Sequence, residues 1–222
     1  MKKIFVICGH YGSGKTEFCV NLALKLRRET GVGVSIADFD VINPYFRSRE
    51  KAAWLAARGI GTLGNVTGDI PGSDIPGLSA NIYGALARGE FLIFDLAGSG
   101  NGLKPLALVR EDIEKPGFEF LCVMNAFRPE TASAALMLKA AGEMELFAGA
   151  KLSGIVHNSH LVRETTAETL LIGQEMVRAA AAGLNVPIMF TQARADLYAE
   201  IGGRLKGTPV VFEKLAMRED WQ

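Results

Sequence analysis

The sequence predicts an α/β fold in three layers, a mainly parallel central sheet flanked by helices on both faces. Two observations point there. Short runs of β-branched and aromatic residues alternate with longer helical stretches, and the first six runs are nearly continuous in apolar residues, as strands buried on both faces must be. At 222 residues, 49% of them apolar, the chain suffices for one sizeable core and is somewhat short for two, so residues 1–222 read as a single domain.

Taken in order, the expected strands are Lys3 to Cys8, Gly33 to Ala37, Phe91 to Phe94, Phe118 to Met124, Leu152 to His157 and Ile188 to Thr191, with Val210 to Phe212 a weaker last one. Between the first two, Phe18, Val20, Leu22, Leu24 and Leu26 belong to a helix from about Thr16 to Arg28 that stops near Gly31. A second helix, Arg49 to Arg58, stops at Gly59. The alanine-rich stretches Thr131 to Ala148 and Thr165 to Ala182 are helices by propensity. The glycine- and proline-containing segment Gly61 to Gly77 is the longest irregular piece, and loops of that length are more often functional than idle.

Charge excludes some classes of function. Lysine plus arginine and aspartate plus glutamate both total 24, so no net field steers the chain to nucleic acid or an anionic membrane. The start, MKKIFVICGH, has too short an apolar run for a signal peptide, no stretch is long enough for a membrane span, and the C-terminal VFEKLAMREDWQ forms no basic amphipathic anchor. A cytoplasmic protein is expected. Cys8, Cys19 and Cys122, odd in number and set in apolar patterns, read as reduced core thiols.

The run Gly9 to Thr16, GHYGSGKT, satisfies G-x-x-x-x-G-K-[ST] between a strand and a helix, the context a phosphate-binding loop requires. Glycines let consecutive backbone N–H groups turn inward around phosphates, and the following helix dipole adds attraction. Gly9, His10, Tyr11, Gly12, Ser13, Gly14, Lys15 and Thr16 therefore line the nucleotide, with Lys15 the point charge on its outer phosphates and Thr16 Oγ1 a magnesium ligand. The fold class becomes a three-layer P-loop NTPase.

Carboxylates at the ends of neighbouring strands complete such a site. FLIFD, Phe91 to Asp95, has the form of a Walker B strand, and Gly98 extends it to DLAG, in which the glycine N–H senses a γ-phosphate. Asp38 and Asp40 in IADFD alternate at a strand end, so both carboxylates face one side, an arrangement that favours a cation or a water between them.

GHYGSGKT, IADFD and FLIFDLAG, in this order and spacing, resemble the deviant-Walker ATPases of the MinD/ParA group within the SIMIBI class. NPYFRSRE, Asn43 to Glu50, and RETT, Arg163 to Thr166, resemble a little-characterised bacterial branch of that group. The resemblance covers most of the chain and implies ATP with Mg2+, hydrolysis and a working homodimer. Lys15 then holds phosphate, Thr16, Asp40 and Asp95 serve magnesium, and Asp38 and Asp40 position the attacking water. The group usually carries a second lysine after the first loop glycine, where this chain has His10, and Arg47 or Arg49 is a candidate for the missing charge. Asn158, closing LSGIVHN, stands where related ATPases place an adenine-reading asparagine, and the absence of a guanine-reading NKxD motif favours ATP over GTP.

Three functions remain open from the sequence: an ATP-driven switch or slow ATPase; a small-molecule kinase or ATP-dependent ligase with Asp69, Asp74, Arg47 and Arg128 toward substrate; and a nucleotide-gated module that binds a partner protein or metallocentre with little turnover. His157 and His160, in HNSH, lack the companion ligands of a structural metal site.

Overall fold

A computed structural model describes residues 2–39, 51–63, 76–98, 100, 103, 106–107 and 109–217, with 76–80 as backbone alone. Its strands are β1 (Ile4–Cys8), β2 (Val34–Phe39), β3 (Ile60–Leu63), β4 (Phe91–Leu96), β5 (Glu119–Met124), β6 (Gly154–His157), β7 (Ile188–Arg194) and β8 (Thr208–Phe212). They form one sheet in the order β3-β2-β4-β1-β5-β6-β7-β8, every neighbouring pair parallel. The helices are α1 (Lys15–Thr30), α2 (Ala52–Ala56), α3 (Pro76–Ala87), α4 (Arg110–Glu114), α5 (Ala134–Ala148), α6 (Ala167–Leu184) and α7 (Ala195–Ile201).

The strand periodicity of two divides the core into layers. On β1, Ile4, Val6 and Cys8 join Ile82, Met137, Ala141 and Val177 from α3, α5 and α6. Phe5 and Ile7 point the other way, to Phe18, Leu22 and Leu26 of α1 and Leu55 of α2. The three-layer architecture follows. Phe18 is fully buried, and truncating such a side chain to alanine costs about 3 to 5 kcal/mol. All three cysteines are buried free thiols.

Several boundaries differ from expectation. β2 runs to Phe39 and β4 to Leu96 because their ladder continues through Asp38↔Asp95 and Phe39↔Leu96, so both acids lie in strands rather than after them. β7 likewise continues to Arg194, held by β8 through Arg194↔Phe212. Helix α5 starts at Ala134 because Ser133 Oγ caps Leu136 N–H, and a 3-10 turn occupies Pro129–Thr131. Helix α6 starts at Ala167 behind a capping box of Thr166 and Thr169.

Neither the edge strand β3 nor α3 is among the expected elements. Gly61 reads as loop punctuation, yet in β3 it pairs with Ser35 of β2, at a position where a Cβ would come within 2.6 Å of Ser35 Oγ. Of the Gly61 to Gly77 segment, residues 64–75 lie outside the described residues, as do Asp40, NPYFRSRE with Arg47 and Arg49, and Asp69 and Asp74. Of the expected helix Arg49 to Arg58, the described part forms a 3-10 residue at Lys51, α2, and a turn at Ala57 and Arg58. No helix among the described residues is long and apolar enough to cross a membrane.

Candidate functional site

Strand β1 lies between β4 and β5, so the chain leaves its C-terminal end toward one half of the sheet and later fills the other. Such a reversal opens a crevice at the carboxyl ends of the strands, where parallel α/β sheets bind ligands. The Gly9 to Thr16 loop stands there.

Local chemistry shapes the loop. Gly12 and Gly14 take φ of 73° and 85°, left-handed conformations that glycine adopts at little cost, and Gly14 caps α1. Asn158 excludes a side chain at Gly14 for a second reason, because its Nδ2 lies where a Cβ would project. Ser13 N–H donates to His10 O at 3.1 Å, and Lys15, 7% exposed, donates from Nζ to His10 O at 3.3 Å. The ammonium thus rests within the loop's curve. Tyr11 points outward and is 65% exposed.

Gly98, after β4, meets the loop closely. A Cβ on it would stand 2.8 Å from Tyr11 N and 3.0 Å from Lys15 Nζ. The DLAG segment and the phosphate loop are therefore one packed unit. Beneath them, Asp95 is matched to Ile7 on one side and Asp38 on the other, and both acids are buried. The Cys19 thiol of α1 lies beside Asp95. Burial first, and then the charge and hydrogen bond of Asp95, push that thiol well above its usual range. Lys15 acts on Cys19 in the opposite sense, so thiol, carboxylates and ammonium share one small volume.

On the other side of the loop a buried polar chain ties it to the second half of the sheet. Asn158 Nδ2 donates to Ser13 O at 2.7 Å, Gln192 Nε2 to Asn158 Oδ1 at 3.2 Å, and Asn21 Nδ2 to Gln192 Oε1 at 3.4 Å and Glu17 Oε1 at 2.9 Å. Glu17 also accepts from the Ala216 and Met217 N–H groups at 2.8 and 2.9 Å, which docks the segment after β8 onto α1. Asn158 is thus a buried anchor of the loop as well as part of the cleft wall.

That cleft, of about 580 Å³, extends from the loop across the ends of β6, β7 and β8. Its wall combines Lys15, Thr16 and Asn158 with apolar Leu170, Leu197 and Phe212. Cationic and apolar side chains thus line one cleft, with Arg163, Arg194 and Lys214 among the residues beyond the loop.

The structure brings Gly9 to Thr16, Asp38, Asp95, Gly98 and Asn158 into one neighbourhood. Gln192, Glu17 and Asn21 were not legible, because a polar residue inside an apolar strand or helix reads as an exposed position. The sequence places Arg128 only toward a substrate; the structure sets its Nε 2.9 Å from Gly12 O, and the one signal for that is its place just past the strand next to β1. His10 faces Glu130, Nδ1 to Oε2 3.8 Å. His157 does not enter the cleft: its ring is buried, Nδ1 lies 3.4 Å from Thr191 Oγ1, and burial lowers its pKa to about 4.

Neither a protein-family model nor a curated protein matches the chain. Solved structures do. FtsY from Mycoplasma mycoides is 22% identical with a TM-score of 0.61 over 84% of this chain and 58% of that one. Cell division protein ftsY from Thermotoga maritima is 24% identical, TM-score 0.60, over 85% and 61%. The fold is the three-layer α/β fold of P-loop NTPases. The Signal Recognition Particle 54 kDa protein from Aeropyrum pernix, solved in complex with GDP, is 18% identical, TM-score 0.57, over 98% of this chain and 44% of its own. The chain therefore spans between 44% and 61% of the length of these three structures.

Proposed function

We propose that this chain is a magnesium-dependent ATPase of the MinD/ParA-like kind that works as a nucleotide switch. The observation that supports it best is the convergence on one loop of the Lys15 ammonium, the Gly98 backbone and the buried Asp38 and Asp95 at neighbouring strand ends. Phosphate, γ-phosphate sensor and metal would meet there.

The donors fit magnesium. Thr16 and the two buried aspartates offer hard oxygen ligands, and two carboxylates on adjacent strands repel unless a cation lies near them. In this reading Thr16, Asp40 and Asp95 would hold Mg2+, which would supply neutralisation of charge on the phosphates. Lys15 leaves His10 O for the outer phosphate oxygens, where a charge-assisted bond is worth about 1.5 to 3 kcal/mol. Asp38 and Asp40 orient the water, and the Gly98 backbone, so close to the loop that a Cβ would meet Tyr11 N and Lys15 Nζ, senses whether a γ-phosphate is present. The nucleoside lies against the apolar side chains of the cleft.

Adenine is favoured by the absence of a guanine-reading motif after β6, where HNSH stands. The homodimer belongs to the same reading, as the form that ATP stabilises. The test is titration of the chain with ATP and GTP in Mg2+, with phosphate release and sedimentation measured in parallel. Tighter binding of ATP, slow release of phosphate and ATP-dependent dimerisation are expected. A chain that binds neither nucleotide at millimolar concentration is not what we propose, and equal affinity for GTP removes the adenine assignment.

A further inference from the structure

Two cations lie against the phosphate loop in the described residues, Lys15 within it and Arg128 beside it. Arg128 stands on the turn that follows β5, and Asn125 fixes that turn. Fully buried, Asn125 accepts at Oδ1 from Phe127 N–H at 3.0 Å and His160 N–H at 3.1 Å, and donates from Nδ2 to His160 O at 3.1 Å. Its carbonyl accepts from Thr131 Oγ1 at 2.5 Å and Arg128 N–H at 3.3 Å. The arginine is thus held on a rigid support.

From there its Nε donates to Gly12 O at 2.9 Å, and the guanidinium lies along Gly12, where a Cβ would stand 3.3 Å from Nε and 3.5 Å from Cζ. Other arginines are matched to acids: Arg88 to Glu90, Arg110 to Glu114, Arg178 to Glu175 and Arg194 to Asp196. Arg128 has no carboxylate within 4 Å among the described residues, although it is half-buried and lines the cleft. With Nε on a backbone carbonyl, the two Nη groups keep four N–H donors in a planar fork, the geometry that matches phosphate.

The geometry points to Arg128 as a phosphate-binding residue: Nε braces the loop at Gly12 while the Nη groups donate to oxygens of the nucleotide's phosphate chain. This rests on the nucleotide reading above. It places the second loop cation on the β5–α5 turn, outside the residues for which the resemblance supplied roles.

The experiment measures dissociation constants of ATP, ADP and adenosine, with Mg2+, for the full chain, Arg128→Ala and Arg128→Lys, together with thermal midpoints without nucleotide. Loss of a charge-assisted fork is expected to weaken ATP and ADP roughly 10- to 100-fold in Arg128→Ala and to leave adenosine within about twofold, with the lysine variant between. If the alanine variant does not fold, the lysine variant still tests the fork by a several-fold loss on ATP without one on adenosine. ATP affinity within about twofold of wild type overturns the assignment. So does an equal loss on adenosine, which would place the effect in the loop or the base end. Wild-type chain that binds no nucleotide refutes the underlying reading as well, and that result differs from a variant that matches a binding wild type.

Discussion

Asn158→Ala removes two hydrogen bonds beneath the phosphate loop, the one its Nδ2 gives Ser13 O at 2.7 Å and the one its Oδ1 receives from Gln192 Nε2 at 3.2 Å. Asn158 is 4% exposed and Gln192 3%, so water does not readily replace the amide. A buried polar group left without its partner costs about 1 to 3 kcal/mol, and two are left here, about 2 to 6 kcal/mol together. For a domain of this size each kcal/mol lowers the midpoint by about 2 to 4 °C, so a loss of about 3 kcal/mol means roughly 6 to 12 °C. Thermal unfolding without nucleotide reads this directly. The same variant separates loop anchoring from base reading. An anchor shapes N–H groups that every nucleotide shares, so ATP and GTP weaken by the same factor; a base reader loses ATP selectively. A midpoint within about 2 °C of wild type would falsify the anchoring argument, whatever happens to affinity.

Three other outcomes are expected. His157 has its pKa lowered to about 4 by burial, against about 6.5 unfolded, so between those values the unfolded chain binds the extra proton and stability falls as pH drops. That contribution is about 3 kcal/mol, and His157→Leu should lose correspondingly less stability than wild type between pH 7 and 4 in denaturant titrations; parallel pH profiles would refute it. Gly98→Ala places a methyl 2.8 Å from Tyr11 N and 3.0 Å from Lys15 Nζ, an overpacking of about 1 to 3 kcal/mol that should appear as weaker ATP binding in calorimetry. An unchanged constant would mean that the loop yields freely. Asp38→Ala and Asp40→Ala should each lower ATP turnover roughly a hundredfold with affinity changed only a few-fold, and turnover that survives both substitutions removes the water-positioning role.

The turn of the Gly9 to Thr16 loop was legible because its information is local. Eight consecutive residues, a strand before and a helix after, specify the backbone turn without help from the rest of the chain. The buried strands were legible for a similar reason, since being covered on both faces forces a continuous apolar run. Residue type alone did not reveal that Gly61 lies in a strand, since the contact with Ser35 that excludes a side chain there comes from a separate segment.

What the sequence determined by itself is therefore the kind of site, a glycine loop with Lys15 and Thr16 at the mouth of a parallel sheet, and acids at the ends of two of its strands. What only the tertiary structure decided is who stands around it. Strand order sets β4 and β5 on either side of β1 and brings Asp95, Gly98 and Arg128 to a loop about 80 to 116 residues away in sequence. It also ties Ser13 to Gln192 through Asn158. A long-range contact depends on which strands pair, and no residue's own chemistry announces that pairing.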